Sequence, residues 1–222
     1  MSTVLVIGAS RGIGLEMVSQ YREAGERVIA TARDDAGLAR LAVLGAETLR
    51  VDVADPSSVS ALAWQLDGEK IDIALYVAGV MDRGGATTPP TQQAFDAVMH
   101  ANVLGAMQVI PQVMPMVEAA GGVFAAVSSA MGLIDDVSAS NAWLYRVSKA
   151  ALNMAVSSAR FDYPQARLVV LHPGWVQTDM GGGAAPLTVA DSARGLRTVL
   201  ASVSPDDNGR FIHHDGRRSD HW

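Results

Sequence analysis

The sequence has no cysteine. That excludes a disulfide framework, a thiolate zinc site and a thiol nucleophile, and it leaves redox chemistry silent about compartment. Aromatic residues make up only 5% of the 222 residues although hydrophobic ones reach 49%. The core must therefore be assembled from Ala, Val, Leu, Ile and Met, which suits thin alternating layers of helix and strand. Positive charge is also scarce: 17 Lys and Arg stand against 23 Asp and Glu, a formal net charge of −6. This argues against broad affinity for nucleic-acid phosphates and leaves room only for a local basic pocket. No stretch approaches the ~20 apolar residues of a spanning helix. The chain runs through apolar Val4 to Ile7 into Gly8 without the basic head and longer apolar region of a secretory leader. The expectation is a soluble cytoplasmic protein with no nucleic-acid and no membrane partner. The length fits one domain over residues 1–222, whose core buries roughly 70% of the surface of the unfolded chain.

What is present is a recurring pattern. Short runs rich in Val and Ile stand at Thr3 to Ile7, Arg27 to Thr31, Ile71 to Val77, Val123 to Val127 and Arg167 to Leu171, with weaker strand candidates at Glu47 to Val51 and Gly209 to Ile212. Between them, helices are expected at Gly12 to Ala24, Pro56 to Leu66, Thr91 to Asn102, Leu104 to Ala119, Tyr145 to Phe161 and Val189 to Ala201. Apolar strands alternating with helices predict an α/β fold, a doubly wound parallel sheet covered on both faces. The Gly- and Pro-rich stretches Asp82 to Pro90 and Gly181 to Pro186 follow candidate strands, so they fall at the ligand-binding edge of such a sheet.

Gly8-Ala9-Ser10-Arg11-Gly12-Ile13-Gly14 follows the first strand and opens the first helix. In that context the glycines let backbone amides approach a pyrophosphate at the positive end of the helix. Near the end of the second strand, where a carboxylate would hold the ribose hydroxyls of NAD, stand Thr31-Ala32-Arg33. Arg33 and Arg11 are suited to clamp a 2′-phosphate, since planar guanidinium forks match phosphate oxygens. NADP(H) is therefore expected over NAD(H), although Asp34 and Asp35 come next and offer carboxylates for a ribose. Tyr145 and Lys149 lie four apart on one helical face. A free phenol titrates near ~10, and an ammonium beside it favours the phenolate.

The G-x-x-x-G-x-G spacing, together with Tyr145-x-x-x-Lys149, resembles the short-chain dehydrogenase/reductase family over essentially the whole chain. Tyr-Arg-x-Ser-Lys, His-Pro-Gly-Trp-Val-x-Thr-Asp-Met and the Asp-Gly…Trp ending look like its C-factor and sniffer-type carbonyl reductase branch. The resemblance implies a Rossmann-type sheet of seven strands or so. It also implies hydride exchange between a nicotinamide and a carbonyl or alcohol, with Tyr145 as acid/base. The family's catalytic serine, followed by two residues and a glycine, falls at Ser129 in Ser128-Ser129-Ala130-Met131-Gly132, where it would donate to the substrate oxygen. Asn102-Val103 resembles the asparagine motif whose side chain helps hold a water joined to the lysine; a buried, helix-bending polar residue is the alternative. Asp52-Val53 resembles the pair whose carboxylate accepts from the adenine amino group; a helix cap before Pro56 is the alternative. Ala78-Gly79 resembles the end of the Asn-Asn-Ala-Gly motif, but Tyr76 and Val77 replace both asparagines, which puts local stability in doubt. Pro173, Gly174, Val176 and Thr178 resemble the segment that lies against the nicotinamide.

His172, His213 and His214 have no partner at ligand spacing and are read as structural residues, so no metal site is expected. The stretch from Ser129 to Tyr145 is longer than the common pattern, and its Asp135-Asp136 insertion is placed at the pocket mouth. The loop from Met180 to Pro186 is short, which implies an open site. Met81, Met131, Trp143 and Met180 are candidates for an apolar wall, consistent with a small hydrophobic carbonyl or alcohol as partner. Relatives often pair through the helices that here span Leu104 to Ala119 and Tyr145 to Phe161, while some are monomers, so the resemblance leaves a homodimer, a homotetramer and a monomer open. The alternative to an enzyme is an NADP(H)-binding sensor or signalling protein with little turnover.

Overall fold

Seven parallel strands of one sheet carry the chain. The computed structural model describes residues 1–222. In chain order it runs β1 (Thr3–Ile7), α1 (Gly12–Glu23), β2 (Arg27–Ala32), α2 (Asp35–Val43), β3 (Glu47–Arg50), α3 (Pro56–Ser60), α4 (Leu62–Gln65), β4 (Ile73–Tyr76), α5 (Gln92–Met99), a π-turn (His100–Leu104), α6 (Gly105–Ala119), β5 (Val123–Val127), α7 (Trp143–Ala159), β6 (Arg167–His172), α8 (Val189–Ser202) and β7 (Phe211–His213). The strand order is β3-β2-β1-β4-β5-β6-β7. The chain thus winds outward from β1 to β3, returns to β4 and winds the other way. Where β1 and β4 part, the carboxyl ends of the strands open the crevice in which sheets of this kind bind ligands. This is the doubly wound Rossmann-type architecture the sequence predicts, with both weaker strand candidates in place.

Alternate residues of each strand feed two separate cores. Leu5, Ile7, Tyr76, Phe124, Ala126, Leu168 and Val170 pack under α6 and α7, while Val4, Val6, Leu75, Ala125, Val169 and Leu171 pack under α1 and α8. Burial on both faces explains why the strands read as continuous apolar runs.

Three elements depart from the sequence expectation. Helix α2 is unanticipated: it is short and contains Gly37, and it is set by local capping. The Asp34 carboxylate accepts from the Gly37 N–H at 2.7 Å, a cap worth ~1 kcal/mol. The helix expected from Pro56 to Leu66 breaks at Ala61 into α3 and α4, and its cap is Asp55, which accepts from Ser57 N–H. The helices expected on either side of Val103 are continuous, joined by the π-turn in which the Gly105 N–H reaches back to the His100 carbonyl. Such wide turns are rare and cluster at functional sites.

Candidate active site

The glycine loop is built by close approach. Gly8 has φ +84°, and a Cβ there would lie 2.7 Å from the Cα, Cβ and N of Ala78. The loop after β1 therefore sits directly against Ala78-Gly79 at the end of β4, at the switch point. A Cβ on Gly14 would lie 2.6 Å from the Gly8 carbonyl, so the first turn of α1 rests on the same loop. The Gly8 N–H donates to Thr31 Oγ1 at 3.1 Å and the Ala9 N–H to the Thr31 carbonyl at 2.9 Å. Ile13 packs against the core below. The result is a cradle without side chains at the amino end of a helix, which fits a dinucleotide pyrophosphate.

Around the rim, the two expected arginines have different company. Arg33 is exposed just before α2. Both carboxylates that follow it are engaged elsewhere: Asp34 caps α2, and Asp35 pairs with Arg50. Arg11 is held by Asp179 at 2.8 Å, with both side chains mostly exposed, and the sequence reading did not foresee that partner. Arg40, on α2, also reaches the loop, its Nε donating to the Ser10 carbonyl at 3.0 Å. Asp52 does not cap a helix; its carboxylate accepts from the Ala54 N–H at 3.0 Å and its own N–H donates to Ser58 Oγ. Val53 lies partly buried beside it, against Gly105.

At the carboxyl end of β5 the polar residues converge. Ser129 Oγ accepts from the Met131 N–H at 3.1 Å and caps a single 3-10 turn, Ala130–Gly132. Tyr145 and Lys149 both lie buried on the first turns of α7. Lys149 Nζ donates to the Val127 carbonyl at 2.9 Å and sits 5.6 Å from the Tyr145 ring centroid. The ammonium does not draw the phenol down as the sequence reading expects. Burial pushes the Tyr145 phenol up to about 12, with the Ser129 hydroxyl pulling the other way, and burial pulls the Lys149 ammonium down to about 8. Just before α7, Ala142 holds φ 52°, the one non-glycine residue with positive φ, so local strain of ~1 kcal/mol is kept beside Tyr145.

Asn102 lies wholly buried in the π-turn. Its Oδ1 accepts from the Val80 N–H at 2.8 Å, and its Nδ2 donates to the Val80 carbonyl and to Ser148 Oγ, both at 2.9 Å. Ser148 Oγ in turn donates to the Tyr145 carbonyl at 2.7 Å. The buried, helix-bending residue and the member of the site are thus the same residue. Ser148 was missed by the sequence reading; its signal is a serine in an Ala-rich helix, three residues from Tyr145 and next to Lys149. A Cβ on Gly79 would stand 3.2 Å from Asn102 Oδ1 and 3.5 Å from Lys149 Nζ, so any side chain there would wedge between them. Ser128 is the structural neighbour, donating to Asn153 Oδ1 at 2.6 Å.

The segment after β6 closes the far side. Pro173 accepts from Ser192 Oγ through its carbonyl at 2.7 Å. Gly174 takes φ +86° against Leu187 and His214. Val176 bridges to Leu187, and the Thr178 methyl faces the Gly12 cradle. His172 accepts from the Ala130 N–H through Nδ1 at 3.2 Å; burial lowers its pKa to about 4, so the ring is neutral and structural. Arg83, in the loop after β4, donates to the Met180 carbonyl in the loop after β6 at 2.6 Å. Met81, Met131 and Met180 are partly buried around the mouth. Trp143 instead lines a cavity of about 260 Å³ behind the Asp82 to Thr91 loop. The Asp135-Asp136 insertion is tied to the last two residues: the Asp135 N–H donates to the Trp222 carbonyl, and His221 pairs with Asp136 at 3.0 Å.

No helix is long and apolar enough to cross a membrane. The short chain dehydrogenase family model matches residues 2–186. A 1-hydroxy-2-glutathionyl-2-methyl-3-butene dehydrogenase from Rhodococcus sp. is 34% identical over 97% of this chain and 98% of its own. The carbonyl reductase Sniffer of D. melanogaster covers 100% of both chains at 26% identity with a TM-score of 0.91. A short-chain dehydrogenase/reductase of Burkholderia multivorans with bound NADP is 30% identical, covers 100% of this chain and 99% of its own, and gives a TM-score of 0.88. With a cradle for a dinucleotide at the switch point, a buried Tyr145 and Lys149 at the end of β5 and these likenesses across its length, the chain belongs to the short-chain dehydrogenase/reductase family of NAD(P)-dependent oxidoreductases, on its sniffer-like side.

Proposed function

We propose that this protein is an NADP(H)-dependent oxidoreductase that interconverts a carbonyl and an alcohol on a small, hydrophobic molecule. The observation that carries the reading is the gap at Gly79: Asn102 Oδ1 and Lys149 Nζ face one backbone position that has no side chain, directly beside the Gly8 cradle. An open strip of backbone running from that cradle to a buried ammonium fits a dinucleotide whose reactive ring ends beside Lys149 and Tyr145. Gly8, Ser10, Arg11, Gly12, Ile13 and Gly14 would hold its pyrophosphate half. Asp52 and Val53 would hold the adenine, and Pro173, Gly174, Val176 and Thr178 the nicotinamide end. The exposed Arg33 supports NADP(H) over NAD(H), as does the NADP bound to the Burkholderia multivorans relative.

The bound dinucleotide supplies or accepts a hydride at the substrate carbon. The chain's own residues handle the oxygen. Ser129 donates to it where negative charge develops, and the Tyr145 phenol hands it a proton, or takes one back in the oxidative direction. Below about 8 Lys149 is an ammonium, 5.6 Å from the centre of the ring that would carry the phenolate. Asn102 holds Val80 and Ser148 in register so that this proton can be replaced along the lysine side. A reduction that depends on the charged lysine loses rate as pH rises through about 8.

The test pairs NADPH and NADH titrations by fluorescence with absorbance assays on quinones, aldehydes and ketones. Tyr145→Phe is expected to bind NADPH within about twofold of wild type and to lose roughly 10³-fold or more in kcat, the scale of a general acid. NADPH binding by wild type with no turnover of any carbonyl would overturn the reductase in favour of a cofactor-binding sensor.

A further inference from the structure

Tyr76 stands where the family's motif has an asparagine. It is wholly buried at the end of β4, and its hydroxyl donates to the Ala101 carbonyl at 2.6 Å. Burial pushes the phenol far above its ordinary range, so it is a permanent donor. Ala101 lies inside the π-turn, a single wide turn of the kind that interrupts the regular helical ladder. The fit is tight. A Cβ on Gly105 would stand 2.6 Å from the Tyr76 oxygen and 2.7 Å from the Val53 carbonyl, so the phenol reaches Ala101 only because α6 begins with glycine.

The residue after Ala101 is Asn102, and its amide uses both donors and one acceptor site. It takes both backbone groups of Val80 and the hydroxyl of Ser148, and Ser148 holds the first turn of α7 at the Tyr145 carbonyl. One residue of the π-turn thus sets the spacing between the strand end at Gly79-Val80 and the helix that carries Tyr145 and Lys149. A rotation of that turn would move the amide out of all three bonds at once.

We propose that Tyr76 is a positioning residue for this site: its hydroxyl pins the π-turn at Ala101, so that Asn102 holds the β4 end and α7 at the separation the buried Lys149 requires. The inference rests on the proposed catalytic role of Lys149 and Tyr145 for its consequence, but its test needs no turnover. The tie stands where the motif has its first asparagine.

The chain has two lysines, exposed Lys70 and buried Lys149, so 13C labelling at the lysine ε-carbon gives two signals, and Lys70 is an internal reference. The full chain is titrated by NMR with wild type, Tyr76→Phe, Asn102→Ala and the double variant, beside NADPH binding and thermal unfolding. The Lys149 midpoint in wild type is expected near 8. Tyr76→Phe should move it by about half a unit or more, Asn102→Ala likewise, and the double variant no further than Asn102→Ala, because the hydroxyl acts through the amide. Placing 4-aminophenylalanine at 76 restores a donor and should restore the midpoint. A Tyr76→Phe protein that unfolds earlier but leaves the Lys149 midpoint unchanged would overturn the proposal, as would shifts that add in the double variant. Should Tyr76→Phe not fold, Tyr76→4-fluorophenylalanine keeps the volume, removes only the donor and is read in the same way. A moved midpoint in a protein without carbonyl turnover supports the positioning role and sinks the reductase reading separately.

Discussion

Three glycine-to-alanine changes separate backbone strain from crowding at the cofactor cradle. Gly25 has φ +80° and nothing within 4 Å of a new Cβ, so Gly25→Ala meets only the left-handed backbone. Its cost is ~1 kcal/mol, partly offset by a stiffer unfolded chain. Gly14→Ala meets no such strain, but its Cβ would lie 2.6 Å from the Gly8 carbonyl and 2.9 Å from Ala9 Cα. Neither is a flexible side chain, so roughly 1–3 kcal/mol of overpacking follows. Gly8→Ala combines the two, with φ +84° and three Ala78 atoms at 2.7 Å, and should cost about 3–4 kcal/mol. For a chain of 222 residues that is a fall in Tm of about 10 °C, at ~2–4 °C per kcal/mol. Because relief requires the loop to leave Ala78, NADPH Kd should rise about tenfold or more in Gly8→Ala and stay unchanged in Gly25→Ala. Denaturant and thermal unfolding, with fluorescence titration of NADPH, read all three. If Gly8→Ala were as mild as Gly25→Ala and bound NADPH as wild type does, the close packing of the loop on Ala78 would be refuted.

The rim arginines make a paired prediction. Arg33→Gln should weaken NADPH about tenfold or more and leave NADH unchanged, the loss expected of a charge-assisted phosphate contact. Asp179→Asn releases Arg11 from an exposed pair worth ~0.5 kcal/mol, so NADPH should bind about twofold more tightly; equal Kd values in fluorescence titrations would remove Arg11 from the phosphate site. Acid stability has a distinct sign. His172 titrates at about 4 when folded against ~6.5 unfolded, so the unfolded chain takes its proton first and stability falls as pH drops from about 6.5 to 4, by about 3 kcal/mol. Below that, Asp207, held down to about 2 by Arg218, adds a further loss as pH falls from about 4 towards 2. Urea titrations across this range should show the first slope fall in His172→Asn, which retains an acceptor for the Ala130 N–H, to the part left by His213, also held down by burial; an undiminished slope would assign it elsewhere.

The strands and the chemistry were legible in the sequence for different reasons. Strand faces buried on both sides write themselves as apolar runs, whereas the edge strand β3, with no buried position along Glu47–Arg50, gives only a weak signal. The glycine loop was legible because its conformation excludes side chains, and Gly8 and Gly14 are crowded enough that only glycine fits. Helix α2 was hidden because its start looks like a ligand site: Asp34 and Asp35 after Arg33 offer carboxylates for a ribose, and only coordinates show one capping the helix and the other paired with Arg50. The Arg83 bond to the Met180 carbonyl was hidden for a deeper reason. It joins two loops 97 residues apart through a backbone acceptor, and backbone acceptors leave no trace in a sequence.

The same limit applies to the site's tuning. The spacing of Tyr145 and Lys149 announces a phenol and an ammonium on one helical face, and from that alone the ammonium should pull the phenol down. Burial of both reverses the outcome, holding the phenol near 12 and the ammonium near 8, and burial depends on what is stacked around them: Gly132 pressed on the Lys149 backbone, and Asn102 fastening the β4 end. Tyr76 shows how far this extends. By sequence it is a missing asparagine and thus a weakness; by structure it is a hydroxyl on the carbonyl beside Asn102. Motif residues identify which groups react, while the residues that replace a motif show which of its contacts the fold cannot do without.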